Sequence, residues 1–332
     1  MLCNRERGAS CLIVGGGISG LIIATLLQRE NIKVTVLDKG RGIGGRLATR
    51  RIGKGVFDYG TQYFSLKHAQ FEPWVTEWLD RKIVTQWCDK FTPEETGKPR
   101  YRGVVSTRAI AKYLAQDLEV HTNTRVNQVS YQDSSQDSQW HVTTEKGTCF
   151  TADMLVLTPP VPQILTLLAD SQIALPEAIA DNLAQVSYHQ CIAVLALLDR
   201  PSKIPHPGGV TPQNNPLVWL ADNHQKGISP VPAVTMHANP DFSATHWDET
   251  NDAIATTLFQ AAQPWLGDAQ ITDYQIHRWR YSLPKTCYPE PYCALPDLPL
   301  VLAGDAFVAP KIEGAVLSAI AASDFILQNS AS

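Results

Sequence analysis

The sequence predicts an α/β protein: a Rossmann-type nucleotide domain joined to a second domain built on an antiparallel sheet. Three observations carry that expectation. A short apolar run at Cys11-Leu-Ile-Val14 leads through Gly15, Gly17 and Gly20 into an apolar helical stretch. A second apolar run, 298–303, ends in Gly304-Asp305 near the other end of the chain. After Pro162 the pattern changes to spaced apolar strands punctuated by prolines.

The first run reads as a buried parallel strand. The glycines that follow are spaced G-x-G-x-x-G, and Leu21 to Leu27 continues as a helix. Lys33-Val-Thr-Val-Leu37 is a second strand ending at Asp38, 18 residues after Gly20. That is the layout of a dinucleotide-binding βαβ unit. Gly15 makes the turn, Gly17 lets a pyrophosphate approach the backbone, and Gly20 lets helix and strand pack closely. Ile18 and Ser19 open the helix, whose N–H groups and partial positive charge suit phosphate. Asp38 suits a ribose diol and disfavours a 2′-phosphate. A glycine-rich turn of any α/β protein is the plain alternative; strand, helix, strand and acid all in register argue against it. The glycines within 11–27 also argue against a leader peptide.

Gly44-Gly45-Arg46 is a second glycine pair, and an NAD dehydrogenase has no need of it after its ribose acid. FAD enzymes of the glutathione-reductase type do. Their longer cofactor passes the loop after the second strand, where glycine admits it and arginine neutralises a phosphate. Lys39, Arg41, Arg50, Arg51 and Lys54 make the surroundings cationic, although each alone suits a solvated loop. At the far end, Gly304-Asp305 closes a strand, and Glu313, Gly314 and Ala315 open a helix of small and apolar residues. In FAD proteins of this type the Gly-Asp binds the ribitol and the helix N-terminus stabilises charge on the flavin. The expected cofactor is therefore FAD, bound non-covalently by a discontinuous domain.

The bulk numbers suit a globular protein. The chain has 332 residues, 44% hydrophobic and 18% charged, with net charge −4. No basic field recruits nucleic acid or membrane, and no protein partner is inferred. Seven cysteines form no C-x-x-C pair, and the nine histidines are scattered, so no metal site is expected. The odd cysteine count and the lack of a leader predict reduced thiols and a cytoplasmic location.

Along the chain, Phe71, Trp74, Val75, Trp78 and Leu79 fall on one face of a helix expected over 68–84. Ser106 is placed to cap a helix through Leu118. Strands are expected at 119–129 and 140–148, with 133–138 as a hairpin loop. Met154-Leu-Val-Leu157 should return to the nucleotide sheet and stop at Thr158. Strands at 191–198, 217–220, 233–237 and 270–281, with helices near 164–168, 177–183 and 248–262, describe the substrate domain. The expected division is 1–67, 100–163 and 290–332 for FAD, and 68–99 and 164–289 for substrate. This is an architecture of the p-hydroxybenzoate-hydroxylase type, with FAD between domains.

The segment from Leu12 to Phe64, including Asp58-Tyr-Gly-Thr-Gln-Tyr-Phe64, resembles the renalase family within the amine-oxidase-like flavoproteins. Arg278-Trp-Arg-Tyr-Ser-Leu-Pro284, Gly304-Asp-Ala and Glu313-Gly-Ala-Val-Leu-Ser318 match in order and spacing, with Ala319 where relatives tend to have glycine. The resemblance implies oxidation of the 2- and 6-dihydro isomers of NAD(P) by hydride transfer to flavin, with O2 as acceptor and peroxide as product. It also implies that Val126 meets the adenine and that Gly60, Gln62 and Tyr63 line the pyrimidine end of the flavin. No second G-x-G-x-x-G opens a separate nucleotide domain, so a dinucleotide substrate must reach the flavin pocket itself. Trp279 and Tyr281, with Trp219, are candidates for stacking a planar substrate, although aromatics are more often core. Arg278 and Arg280 alternate with Trp279 and so face away from it. His237 and His277 read as structural. An amine oxidase, with Lys285 as its nearest candidate lysine, and a non-catalytic FAD-binding protein remain the alternatives.

Overall fold

The computed structural model describes residues 9–92, 94–95, 97–133, 138–213 and 216–330. The chain forms two compact units. One takes residues 1–45, 111–187 and 284–332, the other 46–110 and 188–283.

The first unit is built on a six-stranded sheet. Its order is Cys293–Ala294, Leu300–Leu302, Met154–Leu157, Ser10–Val14, Lys33–Leu37, Glu119–His121. All neighbours run parallel except the short Cys293–Ala294 edge. Parallel strands covered on both faces need unbroken apolar runs, and Leu12, Ile13, Val36, Leu155, Val156 and Leu302 are accordingly buried. The helix Ile18–Arg29 is apolar almost all round because sheet and protein enclose it. Leu21, Ile22, Ile23 and Leu27 have no exposed surface, and Ile23→Ala would cost about 2–5 kcal/mol. Its first turn meets that of the helix Ile312–Ser330, where Ser19 Oγ donates to Ala315 O at 3.0 Å. A three-stranded antiparallel sheet, Val126–Gln132, Gln139–Thr144 and Cys149–Ala152, completes the unit with the helices Val161–Asp170 and Glu177–Ala184.

The second unit centres on a five-stranded sheet ordered Gly209–Val210, Leu217–Asp222, Ala233–Ala238, Tyr188–Leu198, Ile271–Pro284. One face packs on the helix Asn251–Leu266 through Ile192, Val194, Met236, Ile254 and Leu258. The hairpin Thr49–Ile52 and Gly55–Asp58 places Ile52, Phe57 and Tyr59 in a cluster with Leu195 and Ala233. A small sheet of Phe64–Ser65, Arg100–Gly103 and Val84–Cys88 lies beside the helix Glu72–Asp80.

Several boundaries differ from the sequence expectation. Residues 46–67 and 100–110 pack with the antiparallel unit, because Asp58 and Tyr59 are bound by its strands. Residues 164–187 stay with the nucleotide unit, where Ser171 Oγ accepts from Val129 N–H at 2.9 Å. The helix expected over 68–84 covers Glu72–Asp80 and gives way to a strand after Lys82, whose φ is +56°. The helix expected from Ser106 begins at Arg108 and ends at Leu114, because Asp58 holds the Thr107 N–H. The run 119–129 splits between two sheets, and 140–148 breaks at a turn through Gly147. Of the expected hairpin loop, 134–137 lie outside the described residues; the flanking strands do pair antiparallel.

Candidate cofactor and substrate site

In the first unit the expected cofactor residues gather at the carboxyl edge of the parallel sheet. Gly15, Asp38 and Thr158 directly follow three of its strands, and Gly304 follows a fourth after one residue. Backbone bonds stitch them together: Gly15 N–H to Leu37 O at 2.8 Å, Thr158 N–H to Val14 O at 2.9 Å, and Ala303 N–H to Leu157 O at 3.1 Å. Strand order reverses between Ser10–Val14 and Met154–Leu157, which is where open α/β sheets bind ligands.

The glycines there do different jobs. A Cβ on Gly20 would lie 2.0 Å from Gly15 O, and one on Gly314 would lie 2.1 Å from Ala309 O, so packing alone demands both. Gly15, at φ +110°, would strike Thr158 Oγ1 at 2.4 Å. Gly17 is the exception: nothing lies within 4 Å of a Cβ built there. The fold makes no use of its missing side chain, whereas a phosphate does. Gly17 also caps the helix Ile18–Arg29 without any side-chain bond, and the first turn holds no acid. Its partial positive charge is left for a ligand. Gly45, at φ +51°, approaches Gly17 Cα at 3.6 Å from its Cβ position, so the second glycine pair borders the same open space. These residues fit a pyrophosphate.

Asp38 is half-buried and already committed. Its Oδ2 accepts from Gly16 N–H and its Oδ1 from Gly40 N–H, both at 2.6 Å. Each oxygen keeps a lone pair for a diol. Lys39 is exposed and donates to Gln163 Oε1 at 2.7 Å. Val126 opens its strand shortly after Thr124, whose N–H donates to Asp38 O. Gly304 N–H donates to Ser318 Oγ at 2.9 Å, and Asp305 and Glu313 are buried beside it in sequence and at the next helix start.

In the second unit the segment 58–63 is held by side chains from several strands. Asp58 O accepts from Thr235 Oγ1 at 2.9 Å and Gln62 Nε2 at 2.8 Å. Tyr59 O accepts from Trp279 Nε1 at 2.9 Å and lies 3.0 Å from His237 Nε2. Gln62 Nε2 reaches Gly60 O as well, at 3.1 Å. Both donors of the amide are thereby used and its orientation is fixed. Its Oε1 is buried with no hydrogen-bond partner, an acceptor suited to a ring N–H. Gly60 must be glycine, since a Cβ would lie 2.1 Å from Arg46 O. Arg46 is half-buried, with Nη1 3.3 Å from Ser282 O.

The aromatic candidates divide among three partner sets. Trp279 stacks on Tyr59, centroids 5.2 Å apart, with His277 edge-on at 4.3 Å. Tyr281 meets Tyr188 at 5.5 Å. Trp219 packs against Tyr63, Trp87 and Phe91. Among the described residues no ring pair joins Trp279, Tyr281 and Trp219. Arg278 binds Trp247 O, Glu249 O and Asn251 Oδ1, a structural clamp, and Arg280 lies over the Trp247 ring. Burial pushes the His237 imidazole down to about 4, and burial with the Arg50 charge does the same to His277. Both are neutral at pH 7.

Sequence reasoning missed Lys226. It is fully buried and pairs with Asp58, Nζ to Oδ2 3.0 Å. It stands in the turn after Leu217–Asp222 with no motif around it, and its partner is 168 residues away. Among the described residues no group of metal-ligating side chains occurs, and no helix is long and apolar enough to cross a membrane.

Comparison with known proteins gives two family matches. Residues 86–327 match the model for flavin containing amine oxidoreductase, and residues 13–81 match an NAD(P)-binding Rossmann-like domain. Renalase of Mus musculus is 24% identical over 340 residues, covering 93% of this chain and 96% of that protein. The dTDP-fucopyranose mutase of Escherichia coli is 37% identical over 78 residues, 20% of this chain and 21% of the mutase. Among solved structures, one provisionally named a protoporphyrinogen oxidase, from Exiguobacterium sp. 255-15, aligns with TM-score 0.74 at 14% identity, covering 98% and 99% of the two chains. A putrescine oxidase double mutant aligns at 0.70 and 14%, covering 97% and 100%. At that identity the structural likeness shows the fold alone.

Proposed function

The chain belongs to the flavin-containing amine oxidoreductase family and is an FAD-dependent oxidoreductase, and on that premise we propose that it oxidises isomeric dihydronicotinamide dinucleotides, the 2- and 6-dihydro forms of NAD(P). FAD, when bound, would supply the redox chemistry: acceptance of a hydride equivalent from the dihydropyridine, with O2 as final acceptor and peroxide as product. The protein's own residues bind, orient and exclude water. Gly17, Ile18, Ser19 and Gly45 offer backbone to the pyrophosphate. Asp38 holds the adenosine ribose, with Lys39 and Val126 nearby in the chain. Thr158, Gly304, Asp305 and the helix start at Glu313, Gly314 and Ala315 hold the ribitol side. Gly60, Gln62 and Tyr63 serve the pyrimidine end, where Gln62 Oε1 awaits a donor. Arg46 offsets phosphate charge.

The observation that carries the cofactor reading is the open space at Gly17 beside an uncapped helix N-terminus. The substrate reading is supported by the near full-length similarity to renalase and by the neutral state of His237 and His277, which lie against Tyr59. Neither of those two imidazoles can act as a general acid at pH 7, and a dihydropyridine needs none. The antiparallel unit, of p-hydroxybenzoate-hydroxylase type, is the substrate unit in this reading. Trp279 and Tyr281, two residues apart on one face of Ile271–Pro284, flank the planar donor.

The test is anaerobic stopped-flow bleaching of the flavin. The 2- or 6-dihydro isomers should bleach it much faster than 4-dihydro-NAD(P)H or simple amines. Catalytic bleaching by an amine, with the isomers inert, would replace this reading by an amine oxidase. Bleaching by none of them would favour a non-catalytic flavoprotein.

A further inference from the structure

The Asp58–Lys226 pair is enclosed on every side, with both side chains at 0% exposure. Burying two charges is costly unless other bonds satisfy them. Asp58 is well supplied. Its Oδ1 accepts from Thr49 Oγ1 at 2.7 Å and Thr107 N–H at 3.0 Å; its Oδ2 accepts from Thr107 Oγ1 at 2.8 Å and Lys226 Nζ at 3.0 Å. Lys226 Nζ also lies 5.1 Å from the centre of the Trp87 ring, a cation–π contact. Burial pushes the ammonium pKa down, and the carboxylate pulls it back up.

A pair of apolar side chains would fill this space at lower cost. The ion pair adds direction. Its carboxylate takes bonds from the strand Thr49–Ile52, from the residue before the helix Arg108–Leu114, and from the turn after Leu217–Asp222. It therefore has one position, at the root of the segment that runs on through Tyr59 and Gly60 to Gln62. The next two carbonyls are pinned as well, by Trp279 and by Gln62 itself.

We propose that Lys226 is a positioning residue: by neutralising Asp58 at one fixed point, it sets where the Gly60 backbone and the Gln62 amide oxygen meet the flavin. The inference rests on the reading of Gly60 and Gln62 as flavin contacts.

The experiment uses full-length apo-protein titrated with FAD, read by flavin fluorescence quenching and by the visible spectrum of the bound flavin. Thermal unfolding is followed in parallel. Lys226→Met should weaken FAD about tenfold or more, since a buried carboxylate is left uncompensated, and should shift the flavin absorption bands. The double variant Asp58→Asn with Lys226→Met removes both charges. It should melt close to the parent yet remain about fivefold or more weaker for FAD, with the bands still shifted, because charge-neutral packing restores stability but not the carboxylate-centred geometry. A double variant that melts like the parent and binds FAD within about twofold, with an unshifted spectrum, overturns the proposal and leaves the pair a purely structural element. Gln62→Ala separates the two layers of the argument. If it too leaves affinity and spectrum unchanged, the reading of Gln62 as a flavin contact has failed. If Gln62→Ala weakens FAD while the double variant does not, the Lys226 inference alone has failed.

Discussion

Gly44 donates its N–H to the carbonyl of Gly16 at 2.8 Å. That single bond ties the two glycine sets of the N-terminal unit into one surface, with Gly17 and Gly45 side by side. It answers why this chain carries glycine twice. The first set turns the strand into the helix, and the second lays a loop across that turn without filling the space above it.

The flavin should be released by denaturation. Cys287 is the thiol to watch, since its Sγ lies 3.9 Å from Asp305 O. The residue is exposed overall, yet partial desolvation of the sulfur and the Asp305 charge push its pKa up. A protonated thiol is a poor nucleophile. Acid precipitation should leave yellow FAD in the supernatant. Flavin retained on the pellet, and lost from it in Cys287→Ser, would show a covalent link instead.

Asp38→Ala should weaken FAD by about 1–3 kcal/mol, the worth of a charge-assisted bond to the ribose. The variant also strands the Gly16 and Gly40 N–H groups, so part of the loss is a loosened turn. Titrating apo-protein with both FAD and FMN distinguishes the two effects. The ribose term falls on FAD alone, and an equal loss for FMN assigns Asp38 to the turn only.

Trp279 links ring packing to the backbone of Tyr59. Trp279→Phe keeps a ring and removes one donor, costing about 1 kcal/mol of stability, since His237 still serves the carbonyl. Trp279→Ala should in addition erode discrimination between dihydronicotinamide isomers, because hydride transfer needs reacting atoms about 3–3.5 Å apart and aligned. The check is the ratio of bleaching rates for the isomers, beside the FAD dissociation constant. A falling affinity with an unchanged ratio would make Trp279 a core residue and nothing more.

His237 should make stability fall as the solution is acidified. Its folded pKa, about 4, lies below the ordinary 6.5. Above 6.5 both states are neutral and nothing is lost. Between 6.5 and 4 the unfolded chain binds the proton and the native one does not, so stability declines, by about 2 kcal/mol at pH 5. Denaturant unfolding of the parent and of His237→Gln at pH 7 and pH 5 measures this. The variant should show the shallower decline, and parallel slopes would remove His237 as the cause.

The nucleotide motif was legible because its logic is local: strand, turn, helix, strand and acid fall within Cys11–Asp38. Gly304-Asp305 was legible for the same reason. The boundary of the units was not. The hairpin at 49–58 is short, and its allegiance is decided by Thr235 and Leu195, which lie far along the chain. Lys226 left no local trace either, since a lysine in a polar turn reads as solvated until its carboxylate is found. For Gly60 the motif named the residue but not why it must be glycine, because the atom excluding a side chain is the carbonyl of Arg46, 14 residues earlier. Alternation along Ile271–Pro284 did place Trp279 and Tyr281 opposite Arg278 and Arg280, but period alone does not say which rings each will meet.

The bond from Ser19 to Ala315 spans 296 residues, and the strand Leu300–Leu302 is the parallel neighbour of Met154–Leu157. On the ribosome, the residues that close the first sheet therefore emerge long after the strand they pair with. Until they do, Leu155 to Leu157 is an open edge with unpaired N–H and C=O groups, apolar and prone to pair with another chain. Cofactor capture must wait for that closure, so the growing chain depends on what shields this edge while the sheet is two strands short.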